Sequence, residues 1–372
     1  MPLMASQQEL IQLDFDHEFK LGGRLPIAEI HYESHGTLSP EGDNAILICT
    51  PLTMDSHVSG DDPSGDPKKA GWWNFLVGAG LAVDTEKHFV ICSNVLGGCK
   101  GSSGPTSLNP ETGEPYRTDF PEVRVEDMVA LQKRLIDHLG VKKLYAVVGG
   151  SLGGMQALQW AVAFPEMVER CIAIATGSRL SCQGLAFDVV GRQCITSDPN
   201  WKEGDYPLDG DDPVGGLALA RMIGHITYIS KNIMDQKFGR RLQDGQKGEG
   251  FATQFAVESF LKYNSERFIQ RFDPNSYLYL SKAMDTFDLE EGFTSLQDSM
   301  ARAKSKFLII SFSSDWLFTA EDSIQLASCL LLQGLPVTYA NIETELGHDA
   351  FLVDAPEIAS MKRLVGGFLE PK

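Results

Sequence analysis

The residues with the clearest chemical potential lie in the pattern Gly149-x-Ser151-x-Gly153. An apolar, strand-like stretch at 144–148 precedes the pattern, and an apolar, helix-like stretch at 155–164 follows it. In such a context the serine lies on a tight, strained turn with its hydroxyl exposed above a sheet, and glycine tolerates the crowding on both sides. The pattern therefore predicts a serine nucleophile for acyl chemistry. The alternative is a glycine-rich turn whose serine does no chemistry.

A serine nucleophile needs a base, and only two histidines, His225 and His348, follow Ser151 in the sequence. The order matters because the nucleophile elbow is typical of α/β-hydrolases, in which the chain order is Ser, then Asp or Glu, then His. His225 lies in an apolar, helix-like segment, which favours a buried structural residue. His348 lies in a glycine-marked loop before the last helix, and catalytic residues concentrate in such loops. We therefore expect His348 to be the base.

The acid that orients this base should lie at the end of a strand between Ser151 and His348. The continuous apolar run 306–312 is typical of a strand buried in a parallel sheet, and it leads to Asp315. Asp315 is therefore the predicted acid, although a helix-capping role would also explain it. Asp322 is the weaker candidate, since capping or the helix dipole accounts for an acidic residue at a helix start.

The oxyanion of a tetrahedral intermediate needs two backbone N–H donors. In α/β-hydrolases one donor is the amide after the nucleophile, here Leu152, and the other comes from a loop after an earlier strand. The strand-like run 45–49 leads into such a loop. Leu52 is the predicted second donor, because the preceding Pro51 has no N–H.

Strand-like and helix-like segments alternate along most of the chain. Strands are predicted at 45–49, 89–93, 144–148, 171–175, 306–312 and 337–342, and helices at 125–139, 155–164, 322–333 and 358–369. Strands that alternate with helices indicate a parallel sheet. We therefore predict an α/β-hydrolase fold, with a mostly parallel central sheet and helices on both faces. Its core domain would consist of residues 1–181 and 301–372.

Residues 182–300 have a different pattern, since continuous apolar strands disappear and long segments rich in helix formers replace them. We predict a helical lid insertion that covers the top of the sheet, excludes water and shapes the substrate pocket. The charged, glycine-rich stretch 240–250 is expected to be a mobile or solvated loop.

Composition and charge narrow the range of partners. The 372 residues suffice for one large α/β domain with an insertion, and an apolar content of 43% is typical of a globular protein. The formal charge of −18 argues against nucleic acids and anionic membrane surfaces as partners. An anionic substrate would therefore need a local basic site within an acidic background.

The seven cysteines are irregularly spaced and form no Cys-x-x-Cys motif, which favours free thiols in a reducing compartment. No spacing typical of metal ligands is present. Residues 1–12 lack the basic start and apolar core of a signal peptide, and no apolar run reaches membrane-spanning length. We expect a cytoplasmic protein that binds neither a metal nor a membrane.

Several sequence blocks together resemble the homoserine O-acetyltransferases of methionine biosynthesis, a family within the α/β-hydrolase superfamily. The resemblance spans nearly the whole chain and includes Gly71-Trp72-Trp73 and Arg271-Phe272-Asp273. The other blocks lie at 92–99, 101–105, 109–110, 149–157, 190–193, 198–201, 220–228, 237–240, 314–318 and 347–349. So many separate blocks in one order are more specific than the serine pattern alone.

The resemblance implies a triad of Ser151, Asp315 and His348, with Leu52 and Leu152 as the oxyanion donors. It also implies that Arg221 pairs with the homoserine carboxylate and that Asp349 contacts the homoserine ammonium group. A planar guanidinium suits the first role because it binds a carboxylate bidentately. The alternatives are a structural ion pair between Arg221 and a lid carboxylate, and a solvated loop position for Asp349.

The reaction that the resemblance implies is a double displacement. Ser151 accepts the acetyl group of acetyl-CoA, which is a co-substrate rather than a bound cofactor, and the homoserine hydroxyl then attacks the acyl-serine. L-Homoserine and acyl-CoA are thus the expected small-molecule substrates. The resemblance also suggests a homodimer with the helical insertion as its contact.

The sequence departs from the family in the loop after the strand 45–49. Family members usually have Cys-His-Ala-Leu, then Ser or Thr, then Gly-Asp, whereas this chain has Thr50, Pro51 and Met54 in place of the histidine, alanine and glycine. The departure lies beside the reacting carbonyl, so it bears on the acyl donor and on the rate. Succinyl-using relatives tend to place arginine just after the Asp-Trp pair, where this chain has Leu317, which favours an acetyl donor.

Three alternatives stay open at this point. Within the same family, the acyl group could be succinyl, or the acceptor could be serine or another alcohol. Water could be the acceptor, which would make the chain an esterase or thioesterase. The third alternative is a non-catalytic binding protein with the same fold, and the intact Ser, Asp and His set argues against it.

Overall fold

A computed structural model describes residues 7–61, 69–208, 213–243 and 254–370 of the chain. Its strands are β1 (Gln7–Glu18), β2 (Arg24–His35), β3 (Ala45–Cys49), β4 (Val77–Gly78), β5 (Val83–Asp84), β6 (Phe89–Ser93), β7 (Leu144–Gly150), β8 (Arg170–Ile174), β9 (Lys306–Phe312) and β10 (Val337–Ile342). Its α-helices are α1 (Val125–His138), α2 (Leu152–Ala163), α3 (Cys182–Thr196), α4 (Val214–Tyr228), α5 (Lys231–Lys237), α6 (Ala256–Phe268), α7 (Pro274–Asp285), α8 (Leu296–Met300), α9 (Ala320–Leu332) and α10 (Ala359–Leu369).

The central sheet has eight strands in the order β1-β2-β6-β3-β7-β8-β9-β10, and β4 and β5 pair separately. The pairs from β6 through β3, β7, β8 and β9 to β10 are parallel, whereas β1–β2 and β2–β6 are antiparallel. The predicted mostly parallel sheet is therefore confirmed. The predicted bounds of β3, β6, β9 and β10 agree with those observed.

The side chains of β3 divide between two cores, because successive residues of a strand point to opposite faces of a sheet. Ala45, Leu47 and Cys49 belong to a core shared with residues of α1, α2 and α9. Ile46 and Ile48 belong to a second core shared with residues of α10. Helices thus cover both faces of the sheet, which explains why β3 is apolar at every position instead of alternating.

The hairpin of β1 and β2 is absent from the sequence-based predictions. In β1 only Leu13 and Phe15 are buried, and most of the other side chains are exposed. An edge strand that buries one face has no continuous apolar run, so the criterion that identified the central strands does not find it.

Between residues 182 and 300 the described chain forms helices α3 to α8. Helix α3 packs against α4 and α7, and α4 packs against α6. The segment after α4 contacts the loop that precedes His348, since Ser230 Oγ donates a hydrogen bond to the Glu345 carbonyl and Asn232 Nδ2 donates one to the Glu345 carboxylate at 2.8 Å. Residues 244–250 of the stretch that was expected to be mobile lie outside the described residues.

The seven cysteines are free thiols, as predicted, and Cys49, Cys92, Cys171 and Cys329 are buried. Burial raises the pKa of the Cys171 thiol, so this group stays neutral and behaves as an apolar side chain. Within the described ranges, no helix is both long enough and apolar enough to cross a membrane.

Candidate active site

Ser151 lies between the end of β7 and the start of α2, with φ 56° and ψ −124°. A positive φ is strained for a residue with a side chain, and such strain concentrates at functional sites. The flanking glycines make this turn possible. A Cβ on Gly149 would lie 2.1 Å from the Gly153 carbonyl oxygen, and one on Gly153 would lie 2.2 Å from the Cys49 carbonyl oxygen. The backbone at the elbow is therefore too crowded for any other residue type.

Asp315 follows the end of β9, and its Oδ2 accepts a hydrogen bond from His348 Nδ1 at 2.7 Å. The other carboxylate oxygen, Oδ1, accepts from the amides of Leu317 at 2.9 Å and Phe318 at 3.0 Å. Both members of the Asp–His pair are buried. The amides fix the carboxylate, and the carboxylate in turn fixes the orientation of the imidazole and the tautomer that leaves Nε2 free to accept a proton.

The alternative acid, Asp322, lies elsewhere. It belongs to the first turn of α9, where its Oδ2 accepts from the Thr319 amide at 2.8 Å and the Thr319 hydroxyl at 3.0 Å. This is a capping box, which satisfies amides at the helix start. Asp322 therefore has the capping role that the sequence analysis gave as the alternative to a catalytic one.

The pKa of His348 reflects two opposing effects. Burial disfavours the imidazolium, but the charge of Asp315, the hydrogen bond to it and the charge of Asp349 together outweigh burial. The pKa of His348 is therefore raised above its ordinary value of 6.5. A raised pKa makes the imidazole a stronger acceptor of a proton from a hydroxyl group.

Ser151 and His348 line one cavity together with Leu52, Arg221 and Asp349. Five of the seven residues that the sequence singled out thus meet around one space. The other two are Asp315, which is bonded to His348, and Leu152, which follows Ser151. In the described part of the chain no hydrogen bond joins Ser151 Oγ to His348. Such contacts are often long without substrate and shorten in the reacting complex.

The backbone amides of Leu52 and Leu152 face no competing acceptor, because neither donates a hydrogen bond within the described residues. Leu152 begins α2, where the first amides of a helix have no intrahelical partner and the helix dipole favours negative charge. The loop of Leu52 is held at both ends. Gln156 Nε2 donates to the Thr50 carbonyl at 3.1 Å and Arg271 Nη1 donates to the Thr53 carbonyl at 3.0 Å.

The departure from the family pattern in this loop causes no backbone strain. None of residues 50–55 has a positive φ, so Met54 adopts a conformation open to any residue. The turn is closed by a hydrogen bond from the Met54 amide to the Pro51 carbonyl at 3.3 Å.

Arg221, His225 and Tyr228 lie on one face of α4, since residues three, four and seven apart share a face of a helix. The Arg221 guanidinium is buried, and its carbon lies 4.6 Å from the Phe268 ring centre and 5.4 Å from that of Tyr228. Its Nε donates to His225 Nε2 at 3.2 Å. Within the described residues it forms no ion pair with a carboxylate. A buried cation of this kind needs an anionic partner, which a ligand can supply.

His225 is not placed to act as a base. Burial, followed by the charges of Arg221 and Arg271, lowers the pKa of His225 to about 3, so its imidazole is neutral. Its Nε2 already accepts from Arg221, and its Nδ1 is buried without a hydrogen-bond partner in the part of the chain that the structure describes.

Asp349 brings a carboxylate into the same cavity. Its side chain has neither a hydrogen bond nor an ion pair with the residues that the structure describes. Burial raises the pKa of Asp349, although the charges of His348 and Arg221 act in the opposite direction. The cavity thus contains one guanidinium and one unpaired carboxylate, an arrangement that complements a zwitterionic amino acid.

A carboxyl pair in the wall of the cavity was missed by the sequence analysis. Asp188 of α3 lines the cavity, and Asp285 at the end of α7 lies close enough to raise the pKa of Asp188. Burial, and then the charge of Asp285, raise the pKa of Asp188 to about 8, against the opposing charge of Arg192. Arg192 forms an ion pair with Asp285. Asp188 Oδ2 and Asp285 Oδ1 are buried without a hydrogen-bond partner among the described residues, so we expect a proton on Asp188 to bridge the two carboxyl groups. No spacing in the sequence indicates this contact between separate helices.

The shared proton gives a testable effect on stability. The folded pKa of Asp188, about 8, exceeds the ordinary value of 3.8, so its contribution to stability is complete at acid pH and is lost as pH rises towards 8. In Asp188→Asn the amide donates to Asp285 without a charge. We expect the melting temperature of this variant to exceed that of the unaltered chain by several degrees near pH 8, and by less near pH 5.

Thermal unfolding at the two pH values checks this expectation, with Asp14→Asn at an exposed position as the control. Equal shifts at both pH values, or a lower melting temperature for Asp188→Asn near pH 8, would contradict the shared proton.

Residues 44–355 match the family model described as the alpha/beta hydrolase fold. A homoserine O-acetyltransferase of Methanohalobium evestigatum is 51% identical over 338 residues, which cover 91% of this chain and 68% of that relative. The chain belongs to the homoserine O-acetyltransferase family. The predicted resemblance and the α/β-hydrolase fold are both confirmed.

Solved structures place the family within a wider group. The crystal structure of homoserine O-acetyltransferase from Bacillus anthracis is 30% identical, with a TM-score of 0.91 and 99% of each chain covered. The crystal structure of esterase E22 is 27% identical, with a TM-score of 0.90, and covers 98% of this chain and 100% of that one. The backbone of the family is therefore close to that of an esterase. A shared fold does not decide which molecule accepts the acyl group, because function depends on the side chains of the site.

Among the described residues, no group of three or more His, Cys, Asp or Glu side chains is placed to hold a metal ion.

Proposed function

We infer that this chain transfers the acetyl group of acetyl-CoA to the hydroxyl of L-homoserine, the reaction that its family is named for and a step of methionine biosynthesis. The observation that carries the inference is the cavity. A serine on a strained elbow, a histidine bonded to a buried aspartate, an arginine without an ion-pair partner among the described residues and an unpaired carboxylate all meet there. The first two suit acyl transfer, and the last two suit an amino-acid acceptor.

In the first half-reaction, His348 Nε2 takes the proton of the Ser151 hydroxyl as Oγ attacks the thioester carbonyl carbon. The oxygen becomes an oxyanion, which the amides of Leu52 and Leu152 stabilise. The carbon–sulfur bond then breaks, and the imidazolium returns its proton to the departing sulfur. CoA leaves as a thiol, and Ser151 carries the acetyl group as an ester.

In the second half-reaction, the homoserine carboxylate pairs with Arg221 and its ammonium group pairs with Asp349. The substrate hydroxyl gives its proton to His348 and attacks the acetyl-serine carbonyl through a second oxyanion. The bond to Ser151 Oγ breaks, Oγ regains the proton from His348, and O-acetylhomoserine leaves. The two charged contacts hold the hydroxyl near the ester, which raises its effective concentration above that of water.

The helical insertion would keep the site dry. We propose that residues 182–300 form a lid on a core of residues 1–181 and 301–372, so that α4 presents Arg221 to the cavity from above. The contact of Ser230 with the Glu345 carbonyl, next to the loop of His348, supports this arrangement. A lid that excludes water protects the acyl-serine from hydrolysis.

The charges of the cavity favour acetyl over succinyl. A succinyl group carries a carboxylate, and Arg221 is the only lysine or arginine among the described residues that line the cavity. Arg221 is already assigned to homoserine. At the position after the Asp-Trp pair, Leu317 lines the cavity with an apolar side chain, so a second carboxylate would be desolvated without a partner.

A matrix of donors and acceptors tests the proposed function. With acetyl-CoA and succinyl-CoA as donors, and homoserine, serine and water as acceptors, we expect acetyl-CoA with homoserine to release CoA at least about tenfold faster than any other pair. Release of CoA is followed with a thiol reagent. Equal rates for both donors, or a faster rate with succinyl-CoA, would contradict the acetyl assignment.

The same matrix tests the second candidate, an esterase or thioesterase. The structural similarity to esterase E22 favours this candidate, because it has nearly the same backbone. If CoA release from acetyl-CoA were independent of homoserine, water would be the acceptor and the hydrolase assignment would replace the transferase assignment.

We also propose that the protein acts in the cytoplasm as a homodimer with the helical insertion as its contact. Exposed apolar side chains on α3 and α4 support this surface, among them Val189, Val190, Leu219 and Ile226. Large apolar side chains that face water gain stability when a partner covers them.

A further inference from the structure

A cleft beside the catalytic cavity concentrates positive charge. Its lining includes Lys69, Arg221, Arg267 and Arg271. The cleft is continuous with the cavity, since Met54, Arg221 and Leu352 line both spaces. In a chain with a formal charge of −18, four cations around one cleft form the local basic site that an anionic substrate needs.

The two outer arginines are free to bind a ligand. Arg267 lies at the end of α6 and Arg271 lies just beyond it, and both line the cleft. Arg267 contacts the Tyr263 ring, and Arg271 contacts the Phe268 ring and the Thr53 carbonyl. Neither forms an ion pair with a carboxylate in the described ranges.

The cations in the cleft affect one another. Burial, and then the charge of Arg221, lower the pKa of Arg271, while Asp55 acts in the opposite direction. Asp55 is the only carboxylate among the described residues that line the cleft, and its Oδ1 accepts a hydrogen bond from the His57 amide at 3.2 Å. Positive charge therefore exceeds negative charge in the cleft, and a bound polyanion would relieve the repulsion between the arginines.

We propose that Arg267 and Arg271 bind the phosphate groups of the 3′-phosphoadenosine diphosphate part of the acyl donor. This inference rests on the proposed function, since it concerns the donor of that reaction. The thioester arm then passes Met54 and Leu352 into the cavity, where its carbonyl meets Ser151. Arginine suits this role because its planar fork of donors matches a phosphate group.

The position of Arg271 links the donor site to the oxyanion site. Its Nη1 donates to the Thr53 carbonyl, one residue beyond Leu52. A guanidinium has five N–H donors, so the others remain available for phosphate. Arg267 has no such contact with the loop of Leu52. A substitution of Arg267 therefore tests donor binding with less effect on the oxyanion site than a substitution of Arg271.

The test compares two thioesters that share an acetyl group. Acetyl-CoA has the phosphates, and S-acetylpantetheine lacks them. We expect Arg267→Gln to lower the ratio of kcat/KM for acetyl-CoA to kcat/KM for S-acetylpantetheine by about tenfold, the effect typical of losing one charge-assisted contact. Adding Arg271→Gln should lower the ratio further, and the change should appear in KM for acetyl-CoA rather than in KM for homoserine.

Arg134→Gln is the matched control, because Arg134 is exposed on α1 and does not line the cleft. Adenosine 3′,5′-bisphosphate is expected to inhibit competitively with acetyl-CoA and to lose potency in Arg267→Gln but not in Arg134→Gln. An unchanged ratio in both cleft variants would overturn the proposal. Failure of the proposed function would be distinct, since the unaltered protein would then release no CoA in response to homoserine.

Discussion

Replacing Ser151 by alanine is expected to lower kcat for acetyl transfer by about 10⁵-fold to 10⁶-fold, as in other enzymes with a serine nucleophile. The variant keeps the bound substrates and the oxyanion amides but has no atom that can accept the acetyl group. The substitution also breaks no hydrogen bond, because Ser151 Oγ forms none within the described residues. The fold should therefore survive, and the loss should appear in kcat for acetyl-CoA with homoserine.

Ser178→Ala provides the matched control. Ser178 is a buried serine on the loop after β8, and it does not line the cavity. We expect this variant to retain the activity of the unaltered chain within about threefold, since a substitution outside the site removes no transition-state contact. A Ser151→Ala variant that kept more than about 1% of the kcat of the unaltered chain would contradict the role of Ser151 as nucleophile.

Asp315→Asn is expected to lower kcat by about 10⁴-fold, because the amide would orient the wrong tautomer of His348. The asparagine oxygen can still accept from the amides of Leu317 and Phe318, as Oδ1 of Asp315 does now. Its NH₂ group then faces His348 Nδ1, which becomes an acceptor, so Nε2 carries the proton. A protonated Nε2 cannot take a proton from Ser151.

The same variant should shift the dependence of the rate on pH. In the unaltered chain the base must be neutral, so kcat/KM rises with pH through the pKa of His348, which lies above its ordinary value. Removal of the Asp315 charge lowers this pKa, and the residual activity of Asp315→Asn should therefore begin to rise at a lower pH. The measurement is a pH profile of kcat/KM for both chains.

Asp322→Asn is the control for this variant, since Asp322 was the alternative acid and caps α9 instead. It should lower the melting temperature only slightly, because the asparagine oxygen can still accept from Thr319 and only the negative charge at the start of α9 is lost, while kcat stays within about threefold of the unaltered value. A large loss of kcat in Asp322→Asn together with a small loss in Asp315→Asn would reverse the assignment of the acid.

Burial on both faces explains how much of the fold was predictable. β3, β6 and β9 are continuous apolar runs because helices cover both faces of the sheet, so their bounds could be predicted residue by residue. β1 buries only one face, so its apolar residues alternate with polar ones, and the search for continuous apolar runs did not find it. Two predicted helix starts were late, since α2 begins at Leu152 instead of 155 and α9 begins at Ala320 instead of 322.

The site residues divide in the same way. Ser151, Asp315 and His348 could be inferred from the residues because each follows a local signal: a glycine-marked elbow, the end of a buried strand, or a glycine-marked loop. Arg221 and Asp349 required the family resemblance, since nothing local distinguishes a binding arginine from one in an ion pair. Contacts that depend on how the insertion helices pack have no local signal at all.

Two contacts of this kind lie in or beside the catalytic cavity. The carboxyl pair of Asp188 and Asp285 joins residues of α3 and α7, and the basic cleft joins α6 to the loop of Leu52. Helical spacing predicts which residues share a face of one helix, but not which faces of two helices meet. These parts of the site emerge only from the folded chain.

The acetyl-serine intermediate is the central claim of the mechanism, and rapid mixing with acetyl-CoA in the absence of homoserine tests it most directly. The mechanism predicts a burst of CoA equal to one per active site, acetylation of the peptide that contains Ser151, and discharge of the acetyl group when homoserine is added. Ser151→Ala should give neither burst nor adduct. Turnover with homoserine at the full rate, without a burst and without acetylated Ser151, would contradict the mechanism and indicate direct transfer from CoA to the acceptor.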